Sequence, residues 1–135
     1  MEDETSDLPG LIGRRVAERR AALGLNLDQV AERTGVSRAM VSRIERGEVH
    51  ASAVVLDRLC SGLGLTLSAL FARDEAAPLS RRADQPVWTD PESGYVRHAV
   101  SPGGSEAPFR IVDVDFPPGR TVTLGPSGAK PFVQE

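Results

Sequence analysis

The stretch from Leu25 to Gly47 constrains the fold of this chain more than any other part of the sequence. Its residue spacing predicts two short helices joined by a tight turn. Gly35 falls at the turn, because glycine adopts at little cost the left-handed conformation that ends a helix. Ser37 follows where its hydroxyl caps the second helix, and the small Ala31 lets the two helices pack closely. The stretch therefore predicts a tightly packed helix pair.

The helix pair has two chemically different sides. Apolar residues at three- and four-residue spacing predict the buried side, and they are Val30, Val36, Met40, Val41 and Ile44. The outward side of the second helix is short, polar and basic, and it consists of Ser37, Arg38, Ala39, Ser42 and Arg43. A surface of this kind is suited to the major groove of DNA, where side chains contact base edges.

The formal net charge of −3 is unevenly distributed along the chain. Residues 1–7 carry four acidic residues and no basic one, whereas residues 8–72 carry nine arginines and six acidic residues. The positive charge is therefore concentrated around the helix pair, as contact with phosphates requires. Arg14, Arg15 and Arg19 are candidates either for phosphate contacts or for a solvated side of the first helix.

The sequence around the helix pair resembles the helix-turn-helix domain of the phage-repressor/Cro-like family, often called XRE-type. The resemblance rests on the runs LNLDQVAERTGVS, VSRIERG and ALGLTLSALF. It implies a five-helix, lambda-repressor-like DNA-binding domain over residues 8–72. We expect its helices at about residues 8–23, 27–34, 38–46, 53–63 and 67–71.

The same resemblance implies roles for individual residues. Base contacts are expected from Ser37, Arg38, Ala39, Ser42 and Arg43, and phosphate contacts from Asn26, Leu27 and Arg46. Arg20 is expected to form a partly buried ion pair with Glu45 that fixes the position of the reading helix. The expected partner is double-stranded DNA, bound by a homodimer at two half-sites about one helical turn apart.

The pattern changes after residues 73–86, a predicted linker with two prolines and alternating charge. In residues 87–135, apolar and polar residues alternate with period two in short runs that prolines and glycines separate. This pattern is typical of an antiparallel sheet. We expect strands at residues 87–89, 95–101, 109–116 and 120–124. The pieces QPVWTDPESGYVRHAVSP, PFRIVDVDFPPG and PFVQE are similar to the opening strands of the small cupin barrel. The predicted fold class is therefore α+β, with a disordered acidic lead at 1–7 and a partial cupin-like β region at 87–135.

The predicted β region departs from a complete cupin in two respects. About eight strands are needed to close such a barrel, and this chain supplies four or five. His50 and His98 are the two histidines and they are not clustered, so we expect no metal site and no cofactor. A small-molecule effector would bind within a complete barrel. The incomplete sheet is expected to be loosely ordered, to pair with a second copy or to aggregate.

Cysteine content and hydropathy limit the cellular setting. The single cysteine, Cys60, excludes an internal disulfide, and its leucine neighbours favour a buried core residue over a redox sensor. No apolar run approaches the ~20 residues that cross a membrane, and the N-terminus lacks the basic-then-apolar order of a signal peptide. We therefore expect a cytoplasmic protein without a membrane partner.

The leading hypothesis is a sequence-specific DNA-binding transcriptional regulator, with repression as its expected effect. The alternative is an antitoxin-like DNA-binding protein whose β tail binds a protein partner through its open sheet edge. A cupin enzyme with a DNA-binding leader is a third hypothesis. The sequence opposes this third hypothesis, because the chain lacks clustered histidine ligands and a nucleophile–base pair. We therefore expect that the chain is not an enzyme.

Overall fold

The computed structural model describes residues 8–72, 79, 81–101 and 108–125. The predictions for residues 1–7, for much of the linker and for the C-terminal run PFVQE lie outside these residues. In chain order the described elements are α1 Leu8–Ala22, α2 Leu27–Thr34, α3 Arg38–Glu45, α4 Ala53–Leu63, α5 Leu67–Phe71, a 3-10 turn Arg82–Asp84, β1 Val87–Thr89, β2 Val96–Ala99 and β3 Val112–Asp115.

Helices α2 to α5 begin where short polar side chains satisfy unpaired backbone N–H groups. Asn26 and Gln29 form a reciprocal capping box at α2, with two N–H to oxygen distances of 2.8 Å. Ser37, Ser52 and Thr66 accept in the same way at the starts of α3, α4 and α5. Local chemistry therefore sets where each of these helices starts.

The predicted helix ends agree with the structure to within one residue. Helix α1 ends at Ala22 instead of Leu23, and α3 ends at Glu45, so that Arg46 follows it as the C-cap. Gly35 and Gly64 end α2 and α4 in the left-handed conformation, with φ of 73° and 70°. Glycine is favoured at both positions because a Cβ would strain this backbone conformation.

One buried cluster joins the helices to the sheet. From the helices it contains, among others, Val16, Val30, Val41, Leu56 and Leu59. From the sheet region it contains Trp88 and Tyr95. The indole of Trp88 stacks on Phe71 at 5.0 Å between ring centroids, and Tyr95 meets Trp88 edge-on at 5.7 Å. The sheet is thus packed on the helices through aromatic side chains.

Asp90 adds a polar connection between the two parts. It lies in the loop between β1 and β2, is 1% exposed, and accepts from the backbone N–H of Ala53 in the first turn of α4 at 3.0 Å. The hydroxyl and the N–H of Ser93 donate to its other oxygen. The division into a domain at residues 8–72 and a separate region at 87–135 stays a prediction.

The sheet has three described antiparallel strands in the order β1-β2-β3. The strand predicted at 87–89 is confirmed, and those predicted at 95–101 and 109–116 are shorter than expected. The strand predicted at 120–124 is wrong, because these residues join no described ladder. Here Val122 packs against the core and the N–H of Gly125 donates to Asp57 of α4, so the chain leaves the sheet for the helices.

The described helices include none that is both long and apolar enough to span a membrane.

Candidate nucleic-acid interface

Helix α3 presents the side chains predicted to contact bases on one accessible side. Its inner side chains Val41 and Ile44 are 0% and 2% exposed. Of the predicted base-contact residues, the exposed ones are Ser37, Arg38, Ala39 and Arg43, and Ser42 is half-buried. The apolar spacing of the sequence therefore leaves a small polar and basic surface on α3.

Helix α1 packs very closely against the inner side of α3. A Cβ on Gly13 of α1 would overlap the carbonyl oxygen of Ile44 and lie 2.8 Å from that of Glu45. One turn away, a Cβ on Gly47 would lie 3.1 Å from the Cα of Gly10. The two backbones thus meet where glycines leave room.

The sequence analysis did not identify the glycines of α1 as contributors to the site. Their signal is visible in the run PGLIG, where two glycines stand three residues apart in a predicted helix. Glycine inside a helix costs roughly 1 kcal/mol relative to alanine. A pair at this spacing therefore indicates a close helix–helix approach on one side of the helix.

The ion pair of Arg20 and Glu45 ties α1 to α3. The Arg20 Nε donates to one Glu45 carboxylate oxygen at 2.7 Å and Nη2 donates to the other at 2.9 Å. A further bond from Arg20 Nη1 reaches the carbonyl of Leu25 in the loop before α2. Hydrogen bonding to Glu45 raises the pKa of Arg20 despite its partial burial. This planar fork fixes the pose of α3 relative to α1.

The predicted phosphate contacts Asn26 and Leu27 lie at the start of α2. The capping box uses the N–H groups of Asn26 and Gln29, so the N–H groups of the intervening residues remain for an anion at the positive end of the helix. Asp28 stands in the same turn, and its carboxylate lies 3.2 Å from Arg38. Both side chains are more than half exposed, so separating this pair on DNA costs little.

Arg46 and Arg43 differ in their surroundings. Arg46 donates to Ser42 at 2.6 Å and forms a two-bond pair with Glu48, which raises the pKa of Arg46 and lowers that of Glu48. Arg43 is exposed, and its guanidinium makes no hydrogen bond or ion pair within the described part of the chain, although its charge helps to lower the pKa of Glu48. Its guanidinium is available to a ligand without the loss of an internal bond.

Two arginines of α1 form hydrogen bonds to backbone carbonyls, which the sequence analysis did not predict. Arg15 donates to the carbonyls of Ala69 and Leu70 in α5, the latter at 2.8 Å. Arg19 donates to the carbonyl of Leu63 at the end of α4 at 2.7 Å. These bonds satisfy helix-end carbonyls that would otherwise lack partners. Arg15 and Arg19 are therefore not simply solvated, and the alternative that they contact phosphates stays a prediction.

The residues considered for metal or redox chemistry lie apart from this surface. Cys60 is buried, and this burial raises its thiol pKa to about 12. His98 lies on β2, with its Nε2 4.0 Å from the carboxylate of Asp115. The described residues contain no group of three or more side chains able to hold a metal ion.

Comparison with known proteins gives matches to transcriptional regulators. Residues 11–72 match a family described as a helix-turn-helix domain. The HTH-type transcriptional regulator SinR of Bacillus licheniformis is 27% identical over 101 residues, which cover 74% of this chain and 86% of SinR.

Two solved structures are also similar. An HTH_3 family transcriptional regulator from Vibrio cholerae is 26% identical with a TM-score of 0.47, and the match covers 67% of this chain and 56% of that chain. The restriction-modification controller protein C.AhdI from Aeromonas hydrophila is 33% identical with a TM-score of 0.47, and the match covers 52% of this chain and 100% of the controller.

Proposed function

The domain at residues 11–72 belongs to the XRE-type helix-turn-helix family of transcriptional regulators, and we propose that the chain represses transcription by placing α3 in the DNA major groove. The chain is a sequence-specific DNA-binding regulator. The observation that supports the finer proposal is the structure of α3 itself. Its outward side is polar and basic, and its inner side is fixed to α1 by backbone contact and by a fork-shaped ion pair.

Fixing α3 matters because base recognition depends on geometry. A guanidinium must lie in the plane of a guanine edge to form two hydrogen bonds, and each such contact is worth about 1–3 kcal/mol of discrimination. We propose Arg38 and Arg43 as these contacts, and Ala39 as a neighbour of a thymine methyl group. Ser37 and Ser42 complete the base-reading set.

Phosphate contacts would set the position of α3 along the duplex. We propose that the N-terminal turn of α2, which starts at the cap Asn26 and Leu27, holds one phosphate through the free N–H groups of Leu27 and Asp28. Arg46 would hold another after releasing Glu48, an exchange between exposed charges that costs little. A homodimer would place two copies of α3 on half-sites about one helical turn apart.

The sheet is proposed to correspond to the opening strands of a cupin-like barrel. Three antiparallel strands in consecutive order support this proposal, together with the sequence resemblance of residues 85–102 and 108–119. In a complete barrel, an effector site would lie inside. The single-layer sheet seen here would then form one wall of that barrel.

The test compares two arginine variants in a selection from random duplex DNA at physiological salt. We expect Arg43→Ala to lower the preference for the selected site over scrambled DNA about tenfold, because one bidentate base contact is lost. Arg58→Ala removes an exposed arginine from α4 and serves as the matched control. It should lower affinity for both DNAs alike, through charge alone.

Both variants should retain the wild-type circular dichroism spectrum, because Arg43 and Arg58 are exposed. Unchanged site preference in Arg43→Ala would show that α3 does not read bases as proposed. Footprints of the selected DNA that lack two-fold symmetry would contradict the homodimer.

A further inference from the structure

A cavity of about 470 Å³ lies where the sheet meets the helices, apart from the proposed DNA surface. Its walls come from the start of α1, the loop between α3 and α4, and strand β1, and they include Ile12, Ile44, Val49, Ala51 and Trp88. This volume lies within the range of small-molecule sites in proteins. It is too small for a protein segment with a fold of its own.

The lining defines the chemistry of a ligand. It consists of aliphatic and aromatic side chains with the imidazole of His50 and the hydroxyl of Thr89, and it contains no acidic residue, lysine or arginine. A charged molecule would lose its hydration there without gaining a counter-ion. The rings of His50 and Trp88 meet edge-on at 6.0 Å, an arrangement that a further aromatic ring can extend.

The indole of Trp88 contributes ring surface to the wall and no donor that a ligand reaches. Trp88 is 2% exposed, and its Nε1 is buried without a hydrogen-bond acceptor among the described residues. Recognition in the cavity therefore depends on apolar and aromatic contact.

We infer that this cavity binds a neutral aromatic molecule. The site does not depend on DNA binding. The competing occupant is the segment at residues 1–7, which immediately precedes Leu8 at the cavity. Its four acidic residues fit an uncharged apolar lining poorly.

Prodan, a fluorescent neutral aromatic ketone, is the probe for the test. Trp88 is the single tryptophan of the chain, so energy transfer from Trp88 to prodan reports binding to the chain. We expect saturable binding of one prodan per chain with quenching of Trp88.

Variants locate the probe. Ala51→Phe and Val49→Phe fill the cavity from a loop and should each weaken prodan binding at least about tenfold, while circular dichroism verifies that they fold. Val114→Thr alters the exposed apolar side of the sheet and should leave binding unchanged. Binding that persists in a folded filled variant, or that is lost in Val114→Thr, would overturn the proposal.

Two further results would also overturn it. The first is the absence of saturable binding to the wild-type chain. The second is a tenfold gain in prodan affinity after deletion of residues 1–7, because this would make that segment the natural occupant.

Discussion

The helical region at residues 8–72 and the sheet at residues 87–116 differ in how they obtain their structure. Helices α2 to α5 each begin at a side-chain cap, and their large apolar residues are largely buried. The sheet buries Trp88 and Tyr95, yet it leaves Phe109 and Ile111 54% and 53% exposed. The helices therefore bury most of their large apolar side chains against one another, whereas the sheet buries only the side chains that contact the helices.

This contrast shows which kind of interaction holds each region. A helix satisfies most of its backbone hydrogen bonds locally, so caps and apolar spacing define it. A sheet edge has unpaired N–H and C=O groups until another strand covers it. Among the described strands β3 is such an edge, and Val114 within it and Phe116 just after it are exposed. The sheet thus depends on distant contacts, above all those made by Trp88 and Asp90.

The largest effect is expected where the helical region is packed most tightly. Gly13→Ala would place a methyl group against the backbone carbonyls of Ile44 and Glu45, which cannot move aside as a flexible side chain does. Helix propensity alone predicts a gain of roughly 1 kcal/mol from this change. We expect overpacking to prevail and the free energy of unfolding in urea to fall by about 3 kcal/mol.

The control is Ala21→Gly at an exposed position of the same helix. It tests propensity alone and should destabilise by about 1 kcal/mol. If Gly13→Ala stabilises the chain instead, α1 and α3 do not meet at the backbone. In that case the fixed pose of the reading helix depends on the Arg20–Glu45 ion pair alone.

These glycines also show how far the sequence could be interpreted in advance. Caps such as Asn26 and Ser37, turn glycines and apolar spacing are local signals, and they predicted the five described helices to within one residue at each end. The resemblance similarly named Arg20 and Glu45, which form a fork in the structure. Contacts between residues distant in the chain leave no such spacing. The carbonyl contacts of Arg15 and Arg19 and the bond from Ala53 to Asp90 were therefore not predicted.

The sheet strands were harder to predict for the same reason. Alternation in the segment at 109–116 identified a strand but not its length, because the ladder extends only where β2 lies opposite. Residues 120–124 alternate equally well, yet they pack toward α4 instead of joining the sheet. Pattern alone does not distinguish these two outcomes.

The second-largest loss of stability is expected at Asp90, which connects the sheet to the helices. Asp90→Ala removes the acceptor for Ala53 and Ser93 and leaves buried donors without partners. We expect a loss of about 2 kcal/mol in the free energy of unfolding. Glu92→Ala, in the same loop but exposed, removes the same charge and should change little. Equal losses in the two variants would contradict a specific role for Asp90.

The Asp90 connection should also depend on pH. Burial by itself raises the pKa of Asp90, but hydrogen bonds from Ser93, Ala53 and Glu92 outweigh it and hold the pKa below its ordinary value. A lowered folded-state pKa stabilises the fold above the unfolded value of about 3.9, and this contribution is lost as pH falls through the folded-state pKa. The stability difference between wild type and Asp90→Asn should therefore shrink below about pH 4.

The smallest effect distinguishes two ion pairs of similar length, one in each region. Arg20–Glu45 has a shortest distance of 2.7 Å with side chains 26% and 11% exposed, and Arg82–Asp113 has 2.8 Å with 62% and 45%. Water screens the second pair far more. A double-mutant cycle with Arg20→Met and Glu45→Leu should give a coupling energy of about 1–2 kcal/mol.

The matched cycle with Arg82→Met and Asp113→Leu should give a clearly smaller coupling, although the atoms are almost equally close. Added salt sharpens the comparison, because screening weakens exposed pairs more than partly buried ones. In high salt the Arg20–Glu45 coupling should persist and that of Arg82–Asp113 should vanish. Equal couplings in both cycles would mean that solvent reaches the α1–α3 contact as freely as the sheet. The ion pair would then contribute no special rigidity to α3, and base recognition would depend on the glycine contact alone.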